Sequence, residues 1–157
     1  MNEYYIKEVG INDYDCSKIS QIIYNNFLYL KDIEYLKHTL DEISKLLNSE
    51  DFMGFFIYNS NNILIGYLIG EIMQLSDGRL ICFISYFYVA SKHRNKGLGK
   101  NLINKCIEKC ETLGLSFISL NANKTNTYIM NYYSKIGFVN DLILKIDDPY
   151  TILTLYI

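Results

Sequence analysis

Tryptophan is missing from the chain, histidine occurs only twice, and Lys and Arg number 15 against 17 Asp and Glu. No two of the four cysteines stand at Cys-x-x-Cys spacing. Each shortage excludes something. A general nucleic-acid binder presents a basic face that displaces counterions from phosphates, and a net charge of −2 argues against one. A structural metal site needs clustered Cys and His ligands; His38 and His93 are too few and too poorly spaced to serve Cys16, Cys82, Cys106 or Cys110. The thiols therefore read as core residues, with neither metal nor disulfide. No apolar run approaches the ~20 residues that a membrane span requires. The start Met1-Asn2-Glu3-Tyr4-Tyr5 has neither the basic opening nor the apolar stretch of a secretory signal, so a cytoplasmic protein without a membrane partner is expected. The missing tryptophan, beside 15 tyrosines, carries no functional reading.

What is present is apolar content: half of the 157 residues are hydrophobic, enough for one domain with a sizeable core and no second. No repeat, linker or low-complexity tail divides residues 1–157. Residues 4–8 read as a first strand. A helix follows whose stripe is Cys16, Ile19, Ile22, Ile23 and Phe27, with Asp13 or Asp15 as cap. A second helix, with Asp32 available as cap, carries Ile33, Leu36, Leu40, Ile43, Leu46 and Leu47 at spacings of three and four. Residues 52–58, 63–75 and 80–89 are aromatic and β-branched runs separated by the turns Asn59-Ser60-Asn61-Asn62 and Ser76-Asp77-Gly78-Arg79, which predicts an antiparallel meander. Gly66 and Gly70 mark bulges or close packing in its middle strand.

From 97 to 113 the apolar residues Leu98, Leu102, Ile103, Cys106, Ile107, Cys110 and Leu113 make one helical face, and Gly114 is a natural left-handed stop. Residues 116–120 read as a buried strand. Strand, helix, strand implies a right-handed crossover and a parallel pair. A helix over 126–135 closed by Gly137, then strands over 138–146 and 151–156, complete the chain. The expected architecture is α/β (α+β): a mixed, mostly antiparallel central sheet of about seven strands with one parallel pair, flanked by about four helices.

Between the strand ending at Val89 and the helix opening near Gly97 lies Arg94-Asn95-Lys96-Gly97-Leu98-Gly99, followed by Lys100. Two glycines let backbone approach a ligand, a helix start aims unpaired N–H groups at it, and three cations surround the point. The pattern is an anion cradle at the carboxyl end of a strand, where α/β proteins bind ligands. It is not a P-loop, because Arg94 stands where glycine is required and Asn101 where Ser or Thr is. Nor is it the dinucleotide fingerprint, since Leu102 occupies the third glycine position.

This order of elements, with Arg-x-x-Gly-x-Gly after the fourth strand, resembles the GCN5-related N-acetyltransferase superfamily. Asn126, followed by Tyr133-Ser134-Lys135-Ile136-Gly137-Phe138, is similar to the family's carboxyl-terminal signature. The resemblance implies acetyl transfer from acetyl-coenzyme A, as co-substrate, to a primary amine on a small molecule or a peptide amino group. It further implies that the parallel strands splay apart, so that Phe87 and Val89 offer backbone groups to the pantetheine arm. The pyrophosphate would rest on Arg94, Lys96, Gly97, Leu98, Gly99 and Lys100. Asn126 would bond the cofactor, and Tyr133 would protonate or hydrogen-bond the departing thiolate, with Tyr132 left a packing role. A phenol of pKa about 10 can donate to a thiolate whose conjugate acid lies near 8.5.

An alkylamine is unprotonated only about once in a thousand molecules at pH 7, a deficit of about 4 kcal/mol, so a base matters. Glu71 is the acid within the run 63–75 and is the candidate, directly or through water ordered by Ser85 and Tyr86; the competing reading places it on a solvated sheet face. His93 reads as a solvated neighbour of the phosphates. No Ser-His-Asp arrangement or activated cysteine is suggested, which favours direct attack in a ternary complex over a covalent acyl-enzyme. The alternative is a coenzyme A-binding sensor or docking module without turnover. Acceptor identity is not legible, and pairing of two copies through edge strands, common in similar proteins, leaves no mark in the sequence.

Overall fold

In the computed structural model, which describes residues 3–10, 12–28 and 38–157, the first strand, β1 (Tyr4–Val9), lies at one sheet edge and runs antiparallel to β2 (Phe52–Asn59). Between them come α1 (Cys16–Asn26) and α2 (Leu40–Leu47). Asp15 caps α1 by accepting from Lys18 N, while Asp13 instead accepts from Gly10 N at 2.7 Å. The expected second helix is present from Leu40, capped by Thr39, whose hydroxyl accepts from Glu42 N. Asp32, Ile33 and Leu36 lie outside the described residues.

The meander continues as β2, β3 (Leu64–Gln74) and β4 (Leu80–Val89), each antiparallel to the last. These strands are apolar on both faces because helices cover both. On one side Phe55, Leu68, Cys82 and Ile84 pack with Leu102, Ile103 and Cys106 of α3 (Leu98–Thr112); on the other, Phe56, Tyr67, Ile69 and Tyr86 pack with Ile19 and Ile23 of α1 and Ile43 and Leu47 of α2. A Cβ on Gly70 would stand 2.5 Å from the Phe83 carbonyl oxygen. At that point the register slips: Ile69 pairs with Tyr86 but Gly70 with Ile84, leaving Ser85 as the extra residue of a bulge.

After α3 the chain enters β5 (Phe117–Asn123), parallel to β4, as the crossover rule requires. β5 ends three residues beyond the apolar run, since Asn121, Ala122 and Asn123 keep pairing with β7 (Tyr150–Tyr156). Between these strands lie α4 (Thr127–Ile136) and β6 (Val139–Asn140). The seven strands run β1-β2-β3-β4-β5-β7-β6.

The long strand expected over 138–146 is corrected to the two residues of β6. Asp141 ends it. Its buried carboxylate accepts from the backbone N–H groups of Ile143 and Leu144 at 2.9 and 2.8 Å, closing a turn that turns Leu142 and Ile143 into solvent. Among the described residues, no helix is long and apolar enough to cross a membrane.

Candidate active site

Parallel pairing between β4 and β5 holds for three residue pairs, Cys82 with Ile118, Phe83 with Ser119 and Ile84 with Leu120. Beyond the Ser85 bulge the strands part. The gap is a cleft of about 410 Å³ whose walls include Phe87 of β4, Asn121 of β5, and Asn126, Ile129 and Tyr133 at and in α4. Ala90 N donates to Ile65 O of the neighbouring chain segment. Antiparallel alternation then turns the peptide groups of Tyr88 toward β3 and those of Phe87 and Val89 toward the gap, where no strand answers them. A strand-like ligand arm fits this edge.

Val89 and Leu98 are joined by a 3-10 turn over Ser91–His93 and by Gly97, which is left-handed at φ 77. The first hydrogen bond within α3 is Asn101 N to Gly97 O, so the N–H groups of Leu98, Gly99 and Lys100 open the helix without intrahelical partners. Gly99 is small for a packing reason: a Cβ there would lie 2.6 Å from the Tyr132 hydroxyl and 3.1 Å from Phe87. Tyr132 thus packs, as expected, but onto the helix start itself.

The cations of this turn are partly engaged by the protein. Arg94 Nε donates to Val89 O at 2.7 Å, and the guanidinium lies over the Tyr88 ring. Lys96 Nζ donates to the Tyr4 hydroxyl at 2.9 Å, and that same hydroxyl pairs with His93 Nδ1 at 2.9 Å. His93 is therefore fastened to β1 rather than free beside the turn.

Tyr133 lines the cleft, its ring edge-on to Phe138 with centroids 5.4 Å apart and tilted against Phe87 at 6.3 Å. Asn126 is the N-cap of α4; its Oδ1 accepts from Ile129 N at 3.1 Å, which leaves its NH2 group for another acceptor. Glu71 pairs with Phe52 and Phe83 and, by strand alternation from Ile69, faces the α1 and α2 side. It is not among the residues lining the cleft, and among the described lining residues there is no carboxylate.

The site contains a pair that sequence reasoning did not assemble. His38 lines the cleft and its Nδ1 is hydrogen bonded to the Tyr86 hydroxyl. Burial lowers the His38 imidazole below its ordinary value, with Glu42 pulling weakly the other way. Burial, and behind it Glu42 and Tyr67, raises the Tyr86 phenol well above its ordinary value. His38 falls between Leu36 and Leu40 of the expected second helix, off its apolar stripe, and matches no motif, so only tertiary structure brings it to β4. Asn121 adds a buried Oδ1 that has no hydrogen-bond partner, an acceptor suited to a ligand N–H.

Away from the cleft, Cys82 of β4 and Cys106 and Cys110 of α3 gather their sulfurs within 4.8 Å of one another, all buried in the apolar layer between strand and helix. They are core thiols in position.

The acetyltransferase (GNAT) family profile matches residues 18–138. An uncharacterized N-acetyltransferase of Methanocaldococcus jannaschii is 27% identical over 103 residues, 64% of this chain and 46% of the relative, so the chain spans about half of that protein. Among solved structures, a GNAT-family acetyltransferase of Streptococcus pneumoniae superposes with a TM-score of 0.69 at 18% identity, covering 99% of this chain and 100% of that one. The PaiA N-acetyltransferase of Thermoplasma acidophilum, solved with coenzyme A, gives 0.68 at 15% identity over 98% and 99%. The fold they share is the mixed sheet described above, with β4 and β5 as its parallel pair.

Proposed function

The chain belongs to the acetyltransferase (GNAT) family, and from that premise we propose that it is an N-acetyltransferase that moves an acetyl group from acetyl-coenzyme A to a primary amine in a ternary complex. The observation that carries this reading is the unpaired edge of β4 leading directly to the open N-terminus of α3. Phe87 and the Val89 N–H supply backbone hydrogen bonds in place of a missing strand, the Val89 carbonyl being already held by Arg94 Nε, and Leu98, Gly99 and Lys100 supply N–H groups for a pyrophosphate. Arg94 and Lys96 add charge from positions fixed by Val89 and Tyr4. The Asn126 amide donates from the far wall. On the cleft's other wall, the Asn121 oxygen would accept an N–H of the amine.

Acetyl-coenzyme A, when bound, supplies a thioester carbonyl carbon open to attack by nitrogen. Tyr133, at the cleft wall, gives its phenolic proton to the departing sulfur. Holding both reactants on rigid strands removes much of the entropic barrier. Glu71, outside the cleft lining, would reach the amine only through intervening water. The absence of a carboxylate among the described lining residues favours a second reading, a coenzyme A sensor without turnover.

Incubation of the protein with acetyl-coenzyme A and a panel of polyamines, aminoglycosides and peptides is expected to release free thiol with at least one acceptor. Tyr133→Phe is expected to lower turnover at least about 10-fold with coenzyme A affinity intact. Binding of coenzyme A with no thiol release across the panel would leave the sensor reading in its place.

A further inference from the structure

The cleft has two chemically different walls. Phe87 and Tyr133 pack with the α3 and α4 layer, whereas Tyr86 belongs to the α1 and α2 layer. Asn121 follows Leu120, which is buried in the α3 layer, so strand alternation turns Asn121 to the same side as Tyr86. On that side stand a phenol, an imidazole hydrogen bonded to it, and a buried carbonyl oxygen without a partner. All three line the cleft. An ammonium group needs such neighbours: an acceptor for one N–H and a route by which another proton leaves.

Resting on the acetyltransferase reading above, we infer that Tyr86 and His38 form a proton relay for the acceptor amine, with Tyr86 touching the amine and His38 acting through Tyr86. Tyr86 is 2% exposed and its hydroxyl meets His38 Nδ1. A buried phenol that stays protonated is the donor, so Nδ1 is the acceptor and the imidazole proton resides on Nε2. Among the described residues, the charged and titratable groups acting on the pair are Glu42 of α2 and Tyr67 of β3. The Tyr67 hydroxyl accepts from Asn26 Nδ2 at 2.9 Å.

Protons balance as follows. An arriving ammonium loses two protons on becoming an amide. The first passes to the Tyr86 oxygen while the Tyr86 phenolic proton moves to His38 Nδ1, leaving an amine whose lone pair forms the N–C bond to the thioester carbonyl. The C–S bond breaks, sulfur leaves with the bonding pair, and it takes the phenolic proton of Tyr133. The second N–H proton replaces that one on Tyr133, and His38 releases its proton to solvent. One proton leaves per turnover. An imidazole less basic than usual returns its proton readily near pH 7.

Two measurements test the relay. The first does not need activity: 15N NMR of the His38 ring is expected to show Nδ1 unprotonated and a titration midpoint below the ordinary 6.5, displaced in Tyr86→Phe. Protonated Nδ1, or a midpoint indifferent to Tyr86→Phe, overturns the proposal. The second is the pH profile of kcat/KM. Since only neutral His38 accepts a proton, activity falls as pH drops through its midpoint. Both His38→Gln and Tyr86→Phe are expected to lose this acid limb and about 100-fold of turnover, with coenzyme A binding by calorimetry unchanged. Thiol release by the wild type with the same acid limb in His38→Gln sinks the relay alone. No release by wild type that binds coenzyme A sinks the acetyltransferase reading and the relay with it.

Discussion

Arg79, in the turn between β3 and β4, places Nη1 and Nη2 on the two carboxylate oxygens of Asp141 at 2.9 and 3.0 Å, 62 residues further along the chain. The Asp141 side chain is fully buried and also accepts from the Thr154 hydroxyl at 2.7 Å, which in turn meets Ser119. One carboxylate thus ties the β3–β4 turn, β5 and β7 to the turn after β6. Removing Arg79 leaves that charge uncompensated. Arg79→Met is expected to lower stability by about 3 kcal/mol, read as a shift of the urea midpoint with unchanged slope.

The same site gives a pH signature. Arg79 first, then Thr154 and the Leu144 and Ile143 N–H groups, hold the Asp141 carboxyl well below its ordinary 3.8, against the opposing effect of burial. A depressed folded-state pKa contributes stability in full above the unfolded value and loses it as pH falls toward the folded one. Urea midpoints are therefore expected to drop steeply below about pH 4, and Asp141→Asn should flatten that part of the curve while lowering stability at pH 7. An equally steep acid limb in Asp141→Asn would assign the effect to other carboxylates.

Gly70 and Gly78 separate packing from backbone conformation. Gly70 has no positive φ but presses on the Phe83 carbonyl, where a Cβ would meet backbone at 2.5 Å. Gly78 stands at φ 92 with nothing within 4 Å of an added Cβ. Gly70→Ala must push β3 from β4 beside the Ser85 bulge, and a loss of more than about 2 kcal/mol is expected. Gly78→Ala meets only the left-handed penalty of about 1 kcal/mol. Thermal or urea unfolding of the two variants should rank them in that order, and the reverse order would contradict the tight β3–β4 contact.

These contrasts mark what a sequence can and cannot display. Local periodicity exposed α3, because Leu98, Leu102, Ile103, Cys106 and Cys110 bury one face of a continuous helix and need no distant partner to be recognised. The meander was legible from its turn residues for the same reason. The apolar Leu142, Ile143 and Leu144 make 138–146 look like one strand, while the residue that stops it, Asp141, does so with a partner 62 positions away. The turn Arg94 to Gly99 stands out in the sequence as a proposed anion cradle, yet the packing reason for glycine at 99 lies in Tyr132 of another helix. That His38 lines the cleft is not legible in the sequence, since its place there comes from its contact with Tyr86. Glu71 stands out in the sequence as the acid within a strand run, a criterion that does not distinguish the cleft from its surroundings.

Gly99 and Tyr132 should behave as a coupled pair. A methyl group at 99 collides with the Tyr132 hydroxyl at 2.6 Å, whereas the ring carbon behind it is 3.7 Å away, an ordinary contact. Gly99→Ala is expected to shift the start of α3 and weaken coenzyme A binding about 10-fold. Adding Tyr132→Phe removes the colliding oxygen and should recover most of the loss, with Phe87 at 3.1 Å limiting the rescue. Calorimetric titration of the four proteins gives the coupling directly. Simple additivity would mean that the collision is not what the single variant feels.

Arg94 divides charge from position. Its Nε is spent on Val89 O, and its guanidinium carbon lies 5.6 Å from the centroid of the Tyr88 ring, so the guanidinium is strapped to the end of β4. Lysine keeps the charge but has neither the planar fork nor the Nε–H. Arg94→Lys is expected to weaken coenzyme A binding about 5-fold while retaining its salt sensitivity, because the charge remains but swings on a flexible stem. Arg94→Ala loses the charge as well and should bind about 10-fold more weakly than wild type with a flatter salt dependence. Binding isotherms between low and physiological ionic strength distinguish the two. If Arg94→Lys binds as tightly as wild type, the strap to Val89 contributes nothing to the cradle and only the positive charge counts.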